Sequence, residues 1–190
     1  MKVINKEKVD RILASKKIKL NLGSGEHNYT DYINIDLNPE VSKDIDIQGD
    51  IMDLSMFASD SVEEIVCYHV IEHLGHRNVL RFFQECYRIL KERGEFIFEC
   101  PDLGEAMEQF SKIRHTSGEI KGDWGDGSIY ETIYGGQKDN GSFHLNCMTK
   151  WQLMILLKNA GWVEPNIIPE LPRRGPEYGI KWNIRMRCIK

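Results

Sequence analysis

The chain has 190 residues, 41% hydrophobic and 28% charged, the profile of a single soluble globular domain with a proper core. A net charge of −4 argues against a surface that wraps nucleic acid. No apolar run approaches the ~20 residues of a membrane helix, and five scattered cysteines without a C-x-x-C pair predict reduced, mostly buried thiols of a cytoplasmic protein.

Asn5 is placed to cap a short helix that carries Val9, Ile12 and Leu13 on one stripe. KIKLNL (17–22) alternates as a strand and runs straight into GSGEH. YINID (32–36) predicts a second strand, DIDIQGD (44–50) a weaker third and EEIVCYHV (63–70) a central one. RNVLRFFQECYRILKER (77–93) sets Val79, Leu80, Phe83, Cys86, Tyr87 and Leu90 on one helical face, and Gly94 is expected to end that helix. EFIFEC (95–100) follows as a strand stopped by Pro101. Residues 114–148 are glycine-rich with little apolar periodicity, as a functional or a disordered loop is, and are read as a lid-like insertion. In TKWQLMILLKNAGW (149–162), Thr149 and Gln152 have capping-box spacing, and Gly161 stands where a C-terminal cap belongs. VEPNIIPE (163–170) reads as a strand interrupted by proline. GIKWNIRMRC (179–188) alternates without a fault, as an antiparallel strand with one wetter face does. Strands alternating with helices predict one α/β domain over 1–190, with a mostly parallel sheet covered on both faces.

Four places carry the chemistry. Gly23 and Gly25 directly follow a strand, where glycine lets the backbone turn tightly and a ligand approach closely. The third glycine of a dinucleotide fingerprint would fall at Asn28, so a pyrophosphate lacks part of its cradle. Asp36 ends the second strand, where a carboxylate can accept both hydroxyls of a ribose or simply be a solvated turn aspartate. Asp50 in IQGDIMDL could take an adenine amino group, with Ile51 and Met52 against the ring, or cap a helix or turn. His69, Glu72 and His73 in YHVIEHLGH spell H-x-x-E-H, a zinc-peptidase pattern that works only when a helix brings the two histidines to one face. Residues 63–70 have strand composition and Gly75 leaves little room for a helix, so no metal is expected on that motif. Asp123 and Asp126 hint at calcium, but glycines at 125 and 127 stand where oxygen ligands belong. Trp124, Tyr130 and Tyr134 could line a lid, and Arg173, Arg174, Arg185 and Arg187 read as a solvated face.

Taken in order, LNLGSGE, NIDL, GDIMDL, YHVIEHL, RILKERGEFIFECPD and MTKWQLMILLKNAGW resemble the class I S-adenosylmethionine-dependent methyltransferases over residues 17–168. The likeness is greatest to small methyltransferase-domain proteins associated with polysaccharide and glycan synthesis. It implies a Rossmann-like fold with a mostly parallel seven-stranded sheet, an antiparallel last strand and helices on both faces. It also implies S-adenosylmethionine as cofactor, with Gly23, Ser24 and Gly25 along the methionine part, Asp36 and Leu37 at the ribose, Asp50 and Ile51 at the adenine, and His69 between cofactor and acceptor. His144 would face the acceptor from the end of the insertion, which makes His69 and His144 the candidate general bases. Gly23 and Asp36 are thirteen positions apart, where about twenty are usual, so the first crossover helix is expected to be very short or replaced by a loop. The function implied is methyl transfer to an oxygen or nitrogen of a small acceptor, a sugar or sugar-linked metabolite, with no nucleic-acid partner. A zinc hydrolase on His69, Glu72 and His73 and a silent nucleoside-binding module are the rivals.

Overall fold

The structure is a computed structural model that describes residues 1–40, 44–116, 129–138, 141–169 and 182–190. In chain order its elements are β1 (Lys2–Val3), α1 (Lys6–Ser15), β2 (Ile18–Leu22), β3 (Ile33–Asp36), β4 (Ile47–Gln48) and β5 (Val62–Tyr68). A 3₁₀ turn (Ile71–His73), α2 (Val79–Ile89), β6 (Leu90–Pro101), α3 (Leu103–Thr116), α4 (Ile129–Tyr134), α5 (Lys150–Asn159), β7 (Asn166–Ile167) and β8 (Asn183–Ile189) follow.

The strands form one eight-stranded sheet in the order β1-β4-β3-β2-β5-β6-β8-β7. The run from β4 to β6 is parallel, and β8 is antiparallel to both β6 and β7. Seven strands answer the sequence expectation. The eighth is β1, whose Lys2 and Val3 pair antiparallel with Gln48 and Ile47; two residues are too few to show a period. Strand order reverses between β2 and β5, and in open α/β sheets ligands bind beyond the carboxyl ends at such a switch point. Gly23 follows β2 and His69 follows β5, so the local signals of the sequence converge there.

Alternation decides what each face buries. Leu20 and Leu22, Ile33 and Ile35, Ile65 and Cys67, Phe96 and Phe98, and Ile184 and Met186 point to one side. On that side α1 contributes Val9 and Ile12, α2 Phe82, Phe83 and Cys86, and α5 Leu153 and Leu157, with Trp162 stacked on Phe96. The other side holds a smaller cluster of Tyr32, Val66, Tyr68 and Ile97, against which Tyr29 and Ile168 pack. Tyr29 and Tyr32 come from residues 23–32, which contain no helix, so the first crossover is a loop as its length foretold. A loop can close β2 onto β3 because Gly23 N and Ser24 N both donate to Ile35 O.

One boundary and two helices stand out against the sequence reading. The helix expected to reach Arg93 ends at Ile89, and β6 begins at Leu90, which is fully buried and pairs with Val62. Gly94 therefore serves inside a strand: a Cβ there would lie 2.9 Å from Lys91 O and 3.2 Å from Glu63 O. A helix over Leu103–Thr116 occupies sequence with no clear period, and α4 lies inside the stretch expected to be loop. At the C-terminal end of the core, Thr149 and Gln152 form the reciprocal capping box that their spacing predicts.

Candidate active site

The glycine turn is built by conformations that other residues resist. Gly23 has φ +66° and Gly25 φ +50°, both left-handed. A Cβ on Gly23 would strike Val70 Cγ2 and lie 3.1 Å from Cγ1, so the turn after β2 lies directly against the residue that follows His69. Ser24, between the glycines, is buried, and its Oγ has no hydrogen-bond partner among the described residues. A buried orphan hydroxyl is costly unless a ligand satisfies it. Asp36 accepts from Gly25 N at 2.8 Å through Oδ2 and from Asn38 N at 2.9 Å through Oδ1. Each carboxylate oxygen keeps a further lone pair, so ribose hydroxyls could still be received. Leu37 is 67% exposed beside it. Asp50 closes a local turn by accepting from Met52 N at 2.8 Å, while Ile51 is buried and Met52 packs on the core. An orphan hydroxyl, two left-handed glycines and a strand-end carboxylate fit an adenosyl cofactor.

His69 is the one non-glycine residue of this region with a left-handed backbone, φ +53°. Its amide donates to Glu99 O at 2.9 Å, which bends the chain out of β5. Its buried ring lies between two carboxylates: Nδ1 is 3.0 Å from Glu72 Oε1 and Nε2 2.9 Å from Glu99 Oε1. Burial opposes the imidazolium, yet the hydrogen bonds to Glu72 and Glu99 outweigh it and raise the pKa to about 9. Burial likewise opposes a Glu72 carboxylate, and the His69 hydrogen bond overcomes it and holds that pKa below its ordinary value. Arg185 pairs with the far side of Glu99, and Asn183 Nδ2 donates to it at 3.2 Å. Glu72, His69 and Glu99 thus form a buried line of alternating charge that ends at the part-exposed Arg185. With both ring nitrogens donating, His69 has no lone pair to offer a proton.

The acceptor-side candidates are held by the end of the insertion. Leu145 N and Asn146 N donate to Glu72 O, and Asn146 Nδ2 donates to Ile71 O at 2.8 Å and Leu74 O at 2.6 Å. These bonds fix 144–146 onto the 3₁₀ turn. His144 N donates to Tyr134 O, and a Cβ on Gly135 (φ +78°) would collide with Ser142 O. The result sets His144 edge-on to His73, ring centroids 5.0 Å apart. His73 Nδ1 is 2.9 Å from Phe143 O and His144 Nδ1 3.0 Å from Thr132 O. Carbonyls only accept, so both Nδ1 atoms carry the proton, and a neutral ring then keeps its lone pair on Nε2. Burial pushes the pKa of His144 down.

In the H-x-x-E-H stretch the strand ends at Tyr68, just before His69, and His73 closes a 3₁₀ turn, so no helix unites the two histidines. Glu99 and Asn146 escaped that reading. Glu99 sits on the opposite side of β6 from Phe96 and Phe98, an inward glutamate near a strand's carboxyl end that could have been flagged. Arg185 and Arg187 are paired with Glu99 and Glu95 and are not free for an anion. Tyr130 and Tyr134 stack on each other within α4. Asp123, Trp124, Asp126, Arg173 and Arg174 lie outside the described residues. All five cysteines are free, and no helix among the described residues is long and apolar enough to cross a membrane.

Residues 20–98 match a family profile described as "Methyltransferase domain". No curated protein sequence matches the chain. Among solved structures, an Archaeoglobus fulgidus SAM-dependent methyltransferase aligns with TM-score 0.61 at 12% identity, covering 97% of this chain and 90% of that one. A Thermotoga maritima SAM-dependent methyltransferase aligns with TM-score 0.57 at 16% identity, covering 96% and 89%. Human N-acetylserotonin methyltransferase in complex with SAM aligns with TM-score 0.55 at 13% identity, over 95% of this chain and 51% of that one. Identities this low speak for fold alone. The match over residues 20–98 is to a methyltransferase domain, and the fold is that of the S-adenosylmethionine-dependent methyltransferases.

Proposed function

We propose that the enzyme methylates an oxygen or nitrogen of a small acceptor, a sugar or sugar-linked metabolite, with the cofactor along Gly23, Ser24, Gly25, Asp36, Leu37, Asp50 and Ile51. The observation that carries this reading is the contact of Gly23 with Val70, which brings the glycine turn and the His69–His73 segment together at the switch point. S-adenosylmethionine supplies an electrophilic methyl on a sulfonium. Alignment of the acceptor with that methyl can provide most of the acceleration.

Proton removal falls to His144 in this reading. A base needs a lone pair and a neutral ring at working pH; His144 has both, whereas His69 is an imidazolium held by two carboxylates. His69 acts as a fixed positive charge that orders Glu72 and Glu99 beside the acceptor. Polar groups at Glu72, His73, His144 and Asn146 suit a hydroxyl-bearing ligand better than an apolar one. The free thiols accord with a cytoplasmic, reducing location, and the insertion with the acceptor side of the site. The zinc hydrolase rival loses His69 as a ligand, because its ring is already committed.

Calorimetric titration tests the cofactor half: S-adenosylhomocysteine binds and raises the melting temperature, and NAD does neither. A radiolabelled methyl donor offered with a panel of sugars and amines tests the acceptor half. Failure of S-adenosylhomocysteine to bind would remove this assignment of the glycine turn.

A further inference from the structure

We propose that Glu72, His73 and His144 form a binding site for a divalent transition-metal ion of the zinc type. Their ligand atoms, one carboxylate oxygen and one ring nitrogen from each histidine, all lie within 4.8 Å of one another. Two atoms on one zinc are at most about 4.2 Å apart, so shifts on the order of an ångström close the set. The site differs from the H-x-x-E-H pattern: His69 is replaced by a histidine seventy-one positions after His73.

Three independent features prepare it. Glu72 is buried, with Oε1 taken by His69 and Oε2 without a hydrogen-bond partner among the described residues. An unsatisfied buried carboxylate oxygen beside two imidazoles is what a cation would relieve. Both histidines give their Nδ1 proton to a backbone carbonyl, Phe143 O and Thr132 O, the outer contact that fixes tautomer and ring orientation in metal-ligating histidines. His73 and His144 are half-buried, so an ion can enter from solvent while Glu72 closes the inner side. Two nitrogens and one oxygen exclude an all-oxygen magnesium or calcium site and leave a fourth position open, as in catalytic zinc sites.

Occupancy changes the role of His144. Its Nε2 lone pair serves either as base or as ligand. A bound ion would supply Lewis acidity that eases loss of an acceptor hydroxyl's proton to water. That use rests on the methyl-transfer reading; metal binding does not.

The full chain is titrated with zinc by calorimetry, and with cobalt(II) by visible absorption. About one ion per chain is expected, with the cobalt bands of a nitrogen- and oxygen-ligated site. His73→Ala, His144→Ala and the near-isosteric Glu72→Gln should each weaken binding by more than the roughly 10–100-fold that an outer contact is worth. S-adenosylhomocysteine-dependent stabilisation, measured on the same variants, should persist; it separates failure of the metal site from failure of folding or of the cofactor site. Absence of saturable zinc binding in the wild-type protein would overturn the proposal, as would zinc binding that survives the His73→Ala, His144→Ala double variant.

Discussion

Replacing Gly23 with alanine tests the joint between the glycine turn and the end of β5. Two costs add there. At φ +66° an L-residue is strained, by roughly 1–2 kcal/mol. The new methyl would also drive into Val70, which is itself packed on the core, and such overpacking costs about 1–3 kcal/mol. The sum is ~2–5 kcal/mol, and in a chain of 190 residues each kcal/mol lowers the melting temperature by roughly 2–4 °C.

A second change separates the terms. Val70→Ala alone removes partly buried methyl surface and should cost on the order of 1 kcal/mol. In the Gly23→Ala, Val70→Ala double variant the overlap is gone while the backbone strain stays. The double should therefore be less destabilised than the sum of the singles by ~1–3 kcal/mol, well outside the ~0.5 kcal/mol scatter of independent sites. Urea unfolding of the four proteins gives the cycle directly. Additive singles, or a Gly23→Ala variant as stable as wild type, would refute the claim that the turn is pressed against the end of β5. S-adenosylhomocysteine affinity should fall in Gly23→Ala, because the same movement displaces Ser24 and Gly25.

Asp36→Ala should weaken S-adenosylhomocysteine binding by about 1–3 kcal/mol through polar partners left unmet; unchanged affinity removes Asp36 from the site. His144→Ala should leave that affinity nearly intact and cut turnover by ~10²-fold or more, the worth of a lost general base; equal loss of both would place His144 at the cofactor instead. Asn146→Ala deletes the donor to Ile71 O and Leu74 O, so the protein should lose about 1–3 kcal/mol and amides of 141–148 should exchange faster. Exchange unaltered there would show that 144–146 is held by other means.

What the sequence disclosed was whatever a short window can hold. LNLGSGE and NIDL each carry strand, turn and acid within a few residues, and KWNIRMRC shows its period directly. Elements whose signal is spread or weak escaped. The helix Leu103–Thr116 buries Ala106 and begins with Leu103-Gly104, so its apolar stripe is thin. Its start was nonetheless marked: Asp102 accepts from Gly104 N and Glu105 N, an ordinary N-cap that the preceding proline overshadowed. The end of α2 was misplaced for the opposite reason. Leu90 fits the helical stripe by spacing, yet pairing with Val62 and full burial in the sheet overrode that local preference.

The charged centre of the site belongs to a different kind of information. Nothing within YHVIEHLGH says whether His69 is a base, a ligand or a fixed cation; that depends on Glu99, thirty positions on, and on Arg185 across the β6–β8 pair. Once β5 and β6 run parallel, Tyr68 lies opposite Glu99, and the next residue, His69, hydrogen-bonds to it through both backbone and ring. Glu72 then claims the other nitrogen from the 3₁₀ turn. One histidine of the pattern is thereby used up in ordering carboxylates, and the other, His73, is left to meet His144, which the Asn146 clamp delivers from the far end of the insertion. The motif thus splits between two neighbouring side-chain clusters, and it is the strand's end at Tyr68, not the spacing of the letters, that divides it.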